Sequence, residues 1–409
     1  MDKQSILRIF KDTAYVRTGG SPEEKRCAEY ITEYLKGLGL KAALVPFEVD
    51  MATIQEARLM VDGQDIPCKG YLSAGTGNVE APLYYLRNQD AYSLSQCKGR
   101  IVLIEGYLRH WTYQDMLDNG ALGFITYSGD VHHQNEDIDQ RELRASVSQG
   151  RVIPGVNINA KQAVRLVEAG AKQAKIVLKQ EEYKGQSHNV VFDLPGETDE
   201  WLALTAHYDS TSLSQGAYDN MSGSIGLLSM AKRFSKMKTR YGLRFIWCGA
   251  EERGLLGAKA YTQDEEALKS IALCVNLDMI GSAMGGFIAC ATAEEKLVHY
   301  VQYLSQMKGF GLKARQGVYS SDSTPFADKG IPAISFARIA PANTATIHNR
   351  YDTLKLISVD NMVSDIQFIG DFVEAMAQAA QCPVSREMPE KMKEKLDIYL
   401  ARKRDDKEE

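Results

Sequence analysis

Histidine is scarce in this chain, at seven of 409 residues, so any histidine that falls into a ligand-like pattern carries weight. Cysteine is equally sparse. Cys27, Cys68, Cys97, Cys248, Cys274, Cys290 and Cys382 are odd in number and scattered, with no C-x-x-C pair, and buried free thiols are their ordinary reading. An excess of positive charge is missing too. Lys and Arg total 48 against 53 Asp and Glu, a net charge of −5, which leaves no electrostatic case for a nucleic-acid partner or an anionic membrane surface. No apolar run approaches the roughly 18 residues needed to span a bilayer. The opening Met1–Leu7 lacks the continuous apolar core of a signal peptide, and a reducing, cytoplasmic location is the default expectation.

What is present is ordinary globular material. Hydrophobic residues at 44% and charged residues at 25% disfavour disordered, collagenous and coiled-coil readings. At about 150 residues per domain the length predicts two or three domains. Residues 21–38 read as a helix, with Ser21 as N-cap, Pro22 in the first turn and Glu24 completing a capping box. Between about 55 and 182, short β-runs such as Ile101–Ile104 and Phe124–Tyr127 alternate with helical patches at Tyr113–Asn119 and Lys161–Glu168. This stretch predicts a separate small α/β or β-rich module. From 189 onward, apolar strands (Asn189–Phe192, Leu202–Ala206, Leu243–Cys248, Ile271–Leu277, Phe287–Ala291, Ala333–Phe336) are separated by helical segments such as Ser222–Met237 and Val359–Ala380. Near-continuous apolar strands alternating with helices predict an α/β fold, a mostly parallel, doubly wound mixed sheet flanked by helices.

Polar residues of this part gather at the C-terminal ends of the predicted strands, where open α/β sheets place their ligands. The strand ending at Ala206 runs into His207-Tyr208-Asp209, and Asp219 follows in a Gly216–Asn220 loop. Leu243–Cys248 ends in Gly249-Ala250-Glu251-Glu252, Ile271–Leu277 ends in Asp278, and a long loop after Phe336 delivers His348. Each motif alone is weak, since a lone Asp after a strand is commonly a helix N-cap. Together they form a nitrogen–oxygen set suited to zinc or a similar divalent ion. Five ligands exceed the three of a typical mononuclear catalytic site and suit two metals sharing one carboxylate. The residues alone leave open which of Glu251 and Glu252 faces a metal.

The order His207-Tyr208-Asp209, Gly216-Ala217-Tyr218-Asp219-Asn220, Gly249–Gly257, Asn276-Leu277-Asp278-Met279-Ile280-Gly281 and Ile347-His348 resembles the M28 family of co-catalytic zinc aminopeptidases. Ser321–Phe326 followed by Gly330–Ala333 is similar to a further family segment. The insert, with Lys98–Leu103, Asp118–Gly123 and Ile153–Val156, is similar to a protease-associated (PA) domain. The resemblance implies a discontinuous catalytic domain over 1–55 and 183–384, a PA-like domain over 56–182 and a charged helical tail over 385–409. It also implies two Zn²⁺ per chain, with Asp219 bridging both, His207 and Asp278 completing one site, and Glu252 and His348 the other. Glu251 is then the general base, and Asp209 accepts the other ring N–H of His207.

The implied activity is a metal-dependent exopeptidase that removes N-terminal residues from peptides with a water activated between the metals. A dipeptidase or carboxypeptidase, an amidohydrolase on non-peptide amides, and a catalytically silent binding relative are the alternatives. Where some family members carry Tyr before the last histidine, this chain has Ile347; Tyr218 and Tyr319 are the neighbouring candidates for oxyanion stabilisation, each read first as a buried or surface tyrosine with no catalytic part. Where the family often reads Ser-Asp-His, it has Ser321-Asp322-Ser323. Arg338 is read either as a clamp for a substrate carboxylate or as half of a structural salt bridge, and His132 and His133 as a solvated loop. In the tail, Met392, Leu396, Tyr399 and Leu400 share one helical face. A solvated helix is the expectation there, and a homodimer contact the alternative.

Overall fold

The computed structural model describes residues 1–405. Residues 1–49 and 186–403 form one compact unit, and 50–185 another. The crossings at residues 49–50 and 185–186 lie inside strands, Ala43–Val61 and Gln173–Leu194. A strand has no linker composition, so the divisions expected near 55 and 182 fall a few residues away from the observed ones.

In the first unit the strands lie in the order Lys313–Gln316, Gly286–Thr292, Ala333–Ile339, Ile271–Leu277, Trp201–His207, Gly242–Cys248 and the Val190–Leu194 end of the last crossing strand. The central run from Ala333–Ile339 to Gly242–Cys248 is parallel throughout. Gly286–Thr292 and Val190–Leu194 flank it antiparallel. Side-chain alternation explains why these strands read as continuous apolar runs. Leu202, Leu204, Ala206, Leu273, Val275 and Leu277 are buried in one core with the helices Lys3–Asp12, Pro22–Gly37, Ser222–Phe234, Glu295–Met307 and Val359–Ala377. Their neighbours Ala203, Ile246, Cys248 and Cys274 enter a second core on the opposite face with Phe326, Ile331 and Met392. With a core on each face the strands are apolar apart from paired groups such as Thr205 and Asn276, and the ligand-type residues stand at or beyond the strand ends. Gly223 lets the Ser222–Phe234 helix close on this edge: a Cβ there would lie 2.3 Å from the Leu277 carbonyl oxygen.

The solvated tail is not observed up to Lys403; residues 406–409 lie outside the described residues. Glu390–Tyr399 is helical, and Met392 and Leu396, one turn apart, are buried with Phe326 and Ala327 in the second core. The apolar face offered to a second copy is thus filled within the chain. Tyr399 stays at the edge, its hydroxyl 2.6 Å from Ser320 Oγ.

The second unit is α/β. Gly77–Leu86, Ile101–Ile104, Gly123–Ser128 and Gly155–Asn159 form parallel pairs in sequence. Cys68–Gly70 and the Gln173–Leu178 segment close the two edges antiparallel. His110–Asp118 and Ala160–Glu168 are its longer helices. The Gly155–Asn159 strand is absent from the sequence reading, which has the neighbouring Ile153–Val156 only as a motif similar to a PA domain. His133 lies in a loop with Nε2 at 3.2 Å from Asp130.

Candidate metal centre

Parallel register brings the strand ends level. Cys248 pairs with His207, and Asn276 with Thr205, so His207, the Gly249–Glu252 turn and Asp278 emerge side by side. Beyond the ends the backbone turns sharply. Ala250, Met279 and His348 adopt left-handed conformations with φ of 51°, 62° and 59°. Non-glycine residues take that region at a cost that concentrates at functional sites. The Asp219–Asn220 peptide is cis. The Asn220 side chain then clamps the neighbouring strand end, donating to the Leu277 carbonyl at 2.9 Å and accepting from Met279 N at 3.1 Å.

Two groups of ligand-type atoms result. His207, Asp219 and Asp278 form one, Asp219, Glu252 and His348 the other, and in each the atoms lie within 4.8 Å of one another. Asp219 belongs to both and divides its oxygens between them. Oδ1 is 3.2 Å from His207 Nε2, while Oδ2 is 3.1 Å from His348 Nε2. Glu252 Oε2 lies 3.2 Å from the same His348 nitrogen, and Asp278 Oδ1 is 3.8 Å from His207 Nε2. Glu251 enters neither group, its Oε2 standing 4.0 Å from His207 Nε2. All five residues expected as ligands are therefore brought together.

Asp209 is fully buried beneath them. Its contact with His207 is a 3.4 Å approach from Nδ1 and not a hydrogen bond. Its hydrogen bonds go elsewhere: it accepts the backbone N–H groups of Glu251 at 3.0 Å and Glu252 at 3.1 Å. Asp209 thus stands against the His207 ring and in addition braces the main chain of the two glutamates.

Electrostatics follow from packing so many acids out of water. Burial pushes the Glu251 carboxyl well above its usual range, and the charges of Glu252, Asp322 and Asp278 add to the rise. Burial likewise raises Glu252, with Asp219 contributing. Burial also acts on Asp219, but His207 and His348 reverse it and hold that carboxylate low. In His207 burial opposes the charged form, yet the carboxylates of Glu251, Asp209, Asp219 and Asp278 hold the ring well above its ordinary value. Opposed shifts among neighbouring titratable groups mark functional sites. The donor set also fits hard or borderline cations, and Asp278 Oδ1 is buried with no hydrogen-bond partner, as an oxygen reserved for a cation is.

The structure also shows what the neighbouring candidates contact. Arg338 is bound bidentate to buried Asp365 at 2.5 and 2.9 Å and donates to the Gly285 carbonyl, so it is the structural salt bridge and not a substrate clamp. Tyr218 donates to the Arg338 carbonyl at 2.6 Å, and Tyr319 to that of Asp278 at 3.4 Å. Three residues of the centre's surroundings escaped the sequence reading of the site. Asp352 accepts the backbone N–H groups of Tyr218 at 2.7 Å and Asp219 at 3.1 Å. Arg17, fully buried, donates to the carbonyls of Tyr208, Gln215 and Gly216. Glu24, read as a helix cap, lies 1% exposed against Ala250. Asp352 had a faint signal, four residues after His348; the other two lie in a distant segment and had none.

The model of Peptidase family M28 matches residues 189–370, a span that holds all five ligand-type residues and Glu251. Residues 189–370 belong to peptidase family M28. The chain is accordingly a metal-dependent peptidase, a hydrolase. It is 29% identical over 406 residues to Aminopeptidase YwaD of Bacillus subtilis (strain 168), across 92% of this chain and 84% of that protein. It is 27% identical to Leucine aminopeptidase 2 of Arthroderma otae, across 69% of this chain and 59% of that longer protein. The solved structure of BSAP, a zinc aminopeptidase from Bacillus subtilis, superposes with a TM-score of 0.77 at 24% identity, covering 95% of this chain and 98% of that one. That likeness shows a shared α/β fold.

Proposed function

We propose that this M28 peptidase is an aminopeptidase that holds two zinc ions and hydrolyses the N-terminal bond of peptides. The observation that carries the reading is the division of the Asp219 carboxylate, one oxygen toward each of two three-residue groups. In this assignment His207 and Asp278 complete one site, and Glu252 and His348 the other. When bound, the cations supply Lewis acidity and lower the pKa of a water held between them. The choice of zinc is supported by the nitrogen–oxygen donors and by the description of BSAP as a zinc aminopeptidase.

Glu251 is assigned the proton transfer. It lies outside both ligand groups, is buried, and has a carboxyl that burial makes willing to hold a proton. It takes the proton of the attacking water and passes it to the leaving amine. Asp209 keeps the Glu251 and Glu252 main chain in place while this happens. The unit over residues 50–185 is assigned as the PA-like insert. A reducing, cytoplasmic setting is supported by the seven cysteines all being free thiols.

The test is metal analysis of the purified chain together with a panel of aminoacyl anilides, dipeptides and their N-acetylated and C-blocked forms. Two zinc ions per chain and loss of hydrolysis on N-acetylation are expected. Undiminished hydrolysis of N-acetylated substrates would overturn the aminopeptidase reading, and zinc near one per chain would overturn the paired site. Glu251→Gln should lower kcat by about 10²–10⁴-fold with metal content unchanged.

A further inference from the structure

We propose that Glu24, far from the centre in sequence and outside the family match, is a positioning residue for Glu251. The inference rests on the assignment of Glu251 to proton transfer.

Glu24 lies in the first turn of Pro22–Gly37, where Ser21 Oγ accepts its backbone N–H at 3.1 Å as an N-cap should. A capping box would return the Glu24 carboxylate to the Ser21 N–H. Instead Oε2 accepts from Gly20 N at 2.7 Å, and Oε1 accepts from Ser187 Oγ at 2.9 Å and from Ala250 N at 2.8 Å. The last bond spans 226 positions in sequence. The side chain is thus spent on a distant turn, and the helix keeps only its Ser21 cap.

That turn carries the chemistry. The N–H groups of Ala250, Glu251 and Glu252, three in succession, all point to buried carboxylates, the first to Glu24 and the other two to Asp209. Gly249 has no room for a side chain, since a Cβ there would meet Glu24 Oε1 at 2.8 Å. Ala250 is held in the left-handed region at φ 51°, a conformation that needs outside support in a residue with a Cβ. Fixing the Ala250 N–H fixes the backbone leading into Glu251 and hence the direction of its side chain. Arg17 does the equivalent for the other side of the centre, taking the carbonyls of Tyr208, beside Asp209, and of Gly216, ahead of Asp219. A buried carboxyl used only for capping would be a costly choice, whereas here the side chain ties Ala250 to Ser187 and Gly20 and so orients the turn that carries the acid–base residue.

The experiment compares the zinc-loaded full-length chain with Glu24→Ala, Glu24→Gln and Ser21→Ala on one aminoacyl anilide, with Glu251→Gln as control. Glu24→Ala should lower kcat by about 10- to 100-fold, the scale on which small misplacements of catalytic groups act, with KM and bound zinc unchanged. Glu24→Gln should restore most of kcat, because its Oε1 keeps the Ala250 and Ser187 bonds and gives up that to Gly20. Ser21→Ala weakens the same helix and should lower Tm while leaving kcat alone. If Glu24→Ala does not accumulate folded, Glu24→Asp, one methylene too short to span Gly20 and Ala250, carries the same test. The proposal is overturned if Glu24→Ala turns over at the wild-type rate, if Glu24→Gln is as slow as Glu24→Ala, or if Ser21→Ala loses kcat equally. Should the wild type cleave none of the panel, or Glu251→Gln stay active, it is the functional reading that fails. An inert Glu251→Gln beside an unimpaired Glu24→Ala removes this inference alone.

Discussion

Asp352 holds the backbone of Asp219. Its carboxylate accepts the Asp219 N–H at 3.1 Å and that of Tyr218 at 2.7 Å, and Ser214 Oγ donates to it at 3.3 Å. Asp219 is the residue common to both ligand groups, so its placement fixes the geometry of the whole centre. Asp352 follows His348 by four positions, and one loop therefore supplies a ligand-type histidine and the support for the shared aspartate. Asp352→Ala leaves two buried amides without an acceptor, at a cost of about 1–3 kcal/mol for each unsatisfied group. Lower Tm and weaker zinc retention against a chelator are expected together. Full zinc retention in a destabilised Asp352→Ala protein would confine its role to folding.

His348 supplies the only nitrogen of the group it shares with Asp219 and Glu252, and it is the most exposed of the five, with 28% of its side chain open to solvent. His348→Ala should lower bound zinc toward one ion per chain, because His207, Asp219 and Asp278 remain to hold the other. Elemental analysis of the dialysed variant decides this. Zinc equal to wild type would take His348 off the ligand set.

The C-terminal helix is part of the catalytic unit's second core. Met392 is fully buried and Leu396 3% exposed, packed with Phe326, Ala327 and Ile331. Met392→Ala should cost about 2–5 kcal/mol, as cavities in well-packed cores do. Denaturant unfolding measures it, and a change below about 0.5 kcal/mol would mean that the helix docks too loosely to matter.

The strands that carry the centre were legible because each is buried on both faces and so reads as an unbroken apolar run, with the ligand-type residue standing where the run stops. His207 and Asp278 follow this rule, Asp219 and His348 lie in the loops that follow such strands, and the choice of Glu252 over Glu251 rested on the family resemblance. What escaped was whatever depends on tertiary distance. The Glu24 carboxylate shows a capping-box spacing in sequence and makes a different bond in space. Asp209, matched to the histidine two residues away, also binds amides more than 40 positions on. The tail misled for a related reason: Met392 and Leu396 were seen to share a helical face, but the surface it docks on, with Phe326 and Ala327, is set by tertiary packing. Lys313–Gln316, an edge strand in which Lys313 and Arg315 alternate with Ala314 and Gln316, offered no apolar run at all.

Away from the centre, Asp371 on the Val359–Ala377 helix pairs with Arg233 at 2.8 Å and Lys308 at 3.0 Å. Burial works against its ionisation, but these two cations outweigh it and hold the carboxyl below its usual value. A carboxyl with a lowered folded-state pKa contributes stability above its unfolded pKa of about 3.9 and loses it as pH falls through the folded value. Asp371→Asn should therefore destabilise the protein at neutral pH, by about 0.5–1 kcal/mol for a partly exposed ion pair. The gap between the two proteins should close as pH drops from about 5 to about 2, where the wild-type carboxyl is protonated as well. Urea unfolding of both across that range checks the sign. A gap that stays constant with pH would show that Asp371 acts through packing or neutral hydrogen bonds, with no contribution from its charge.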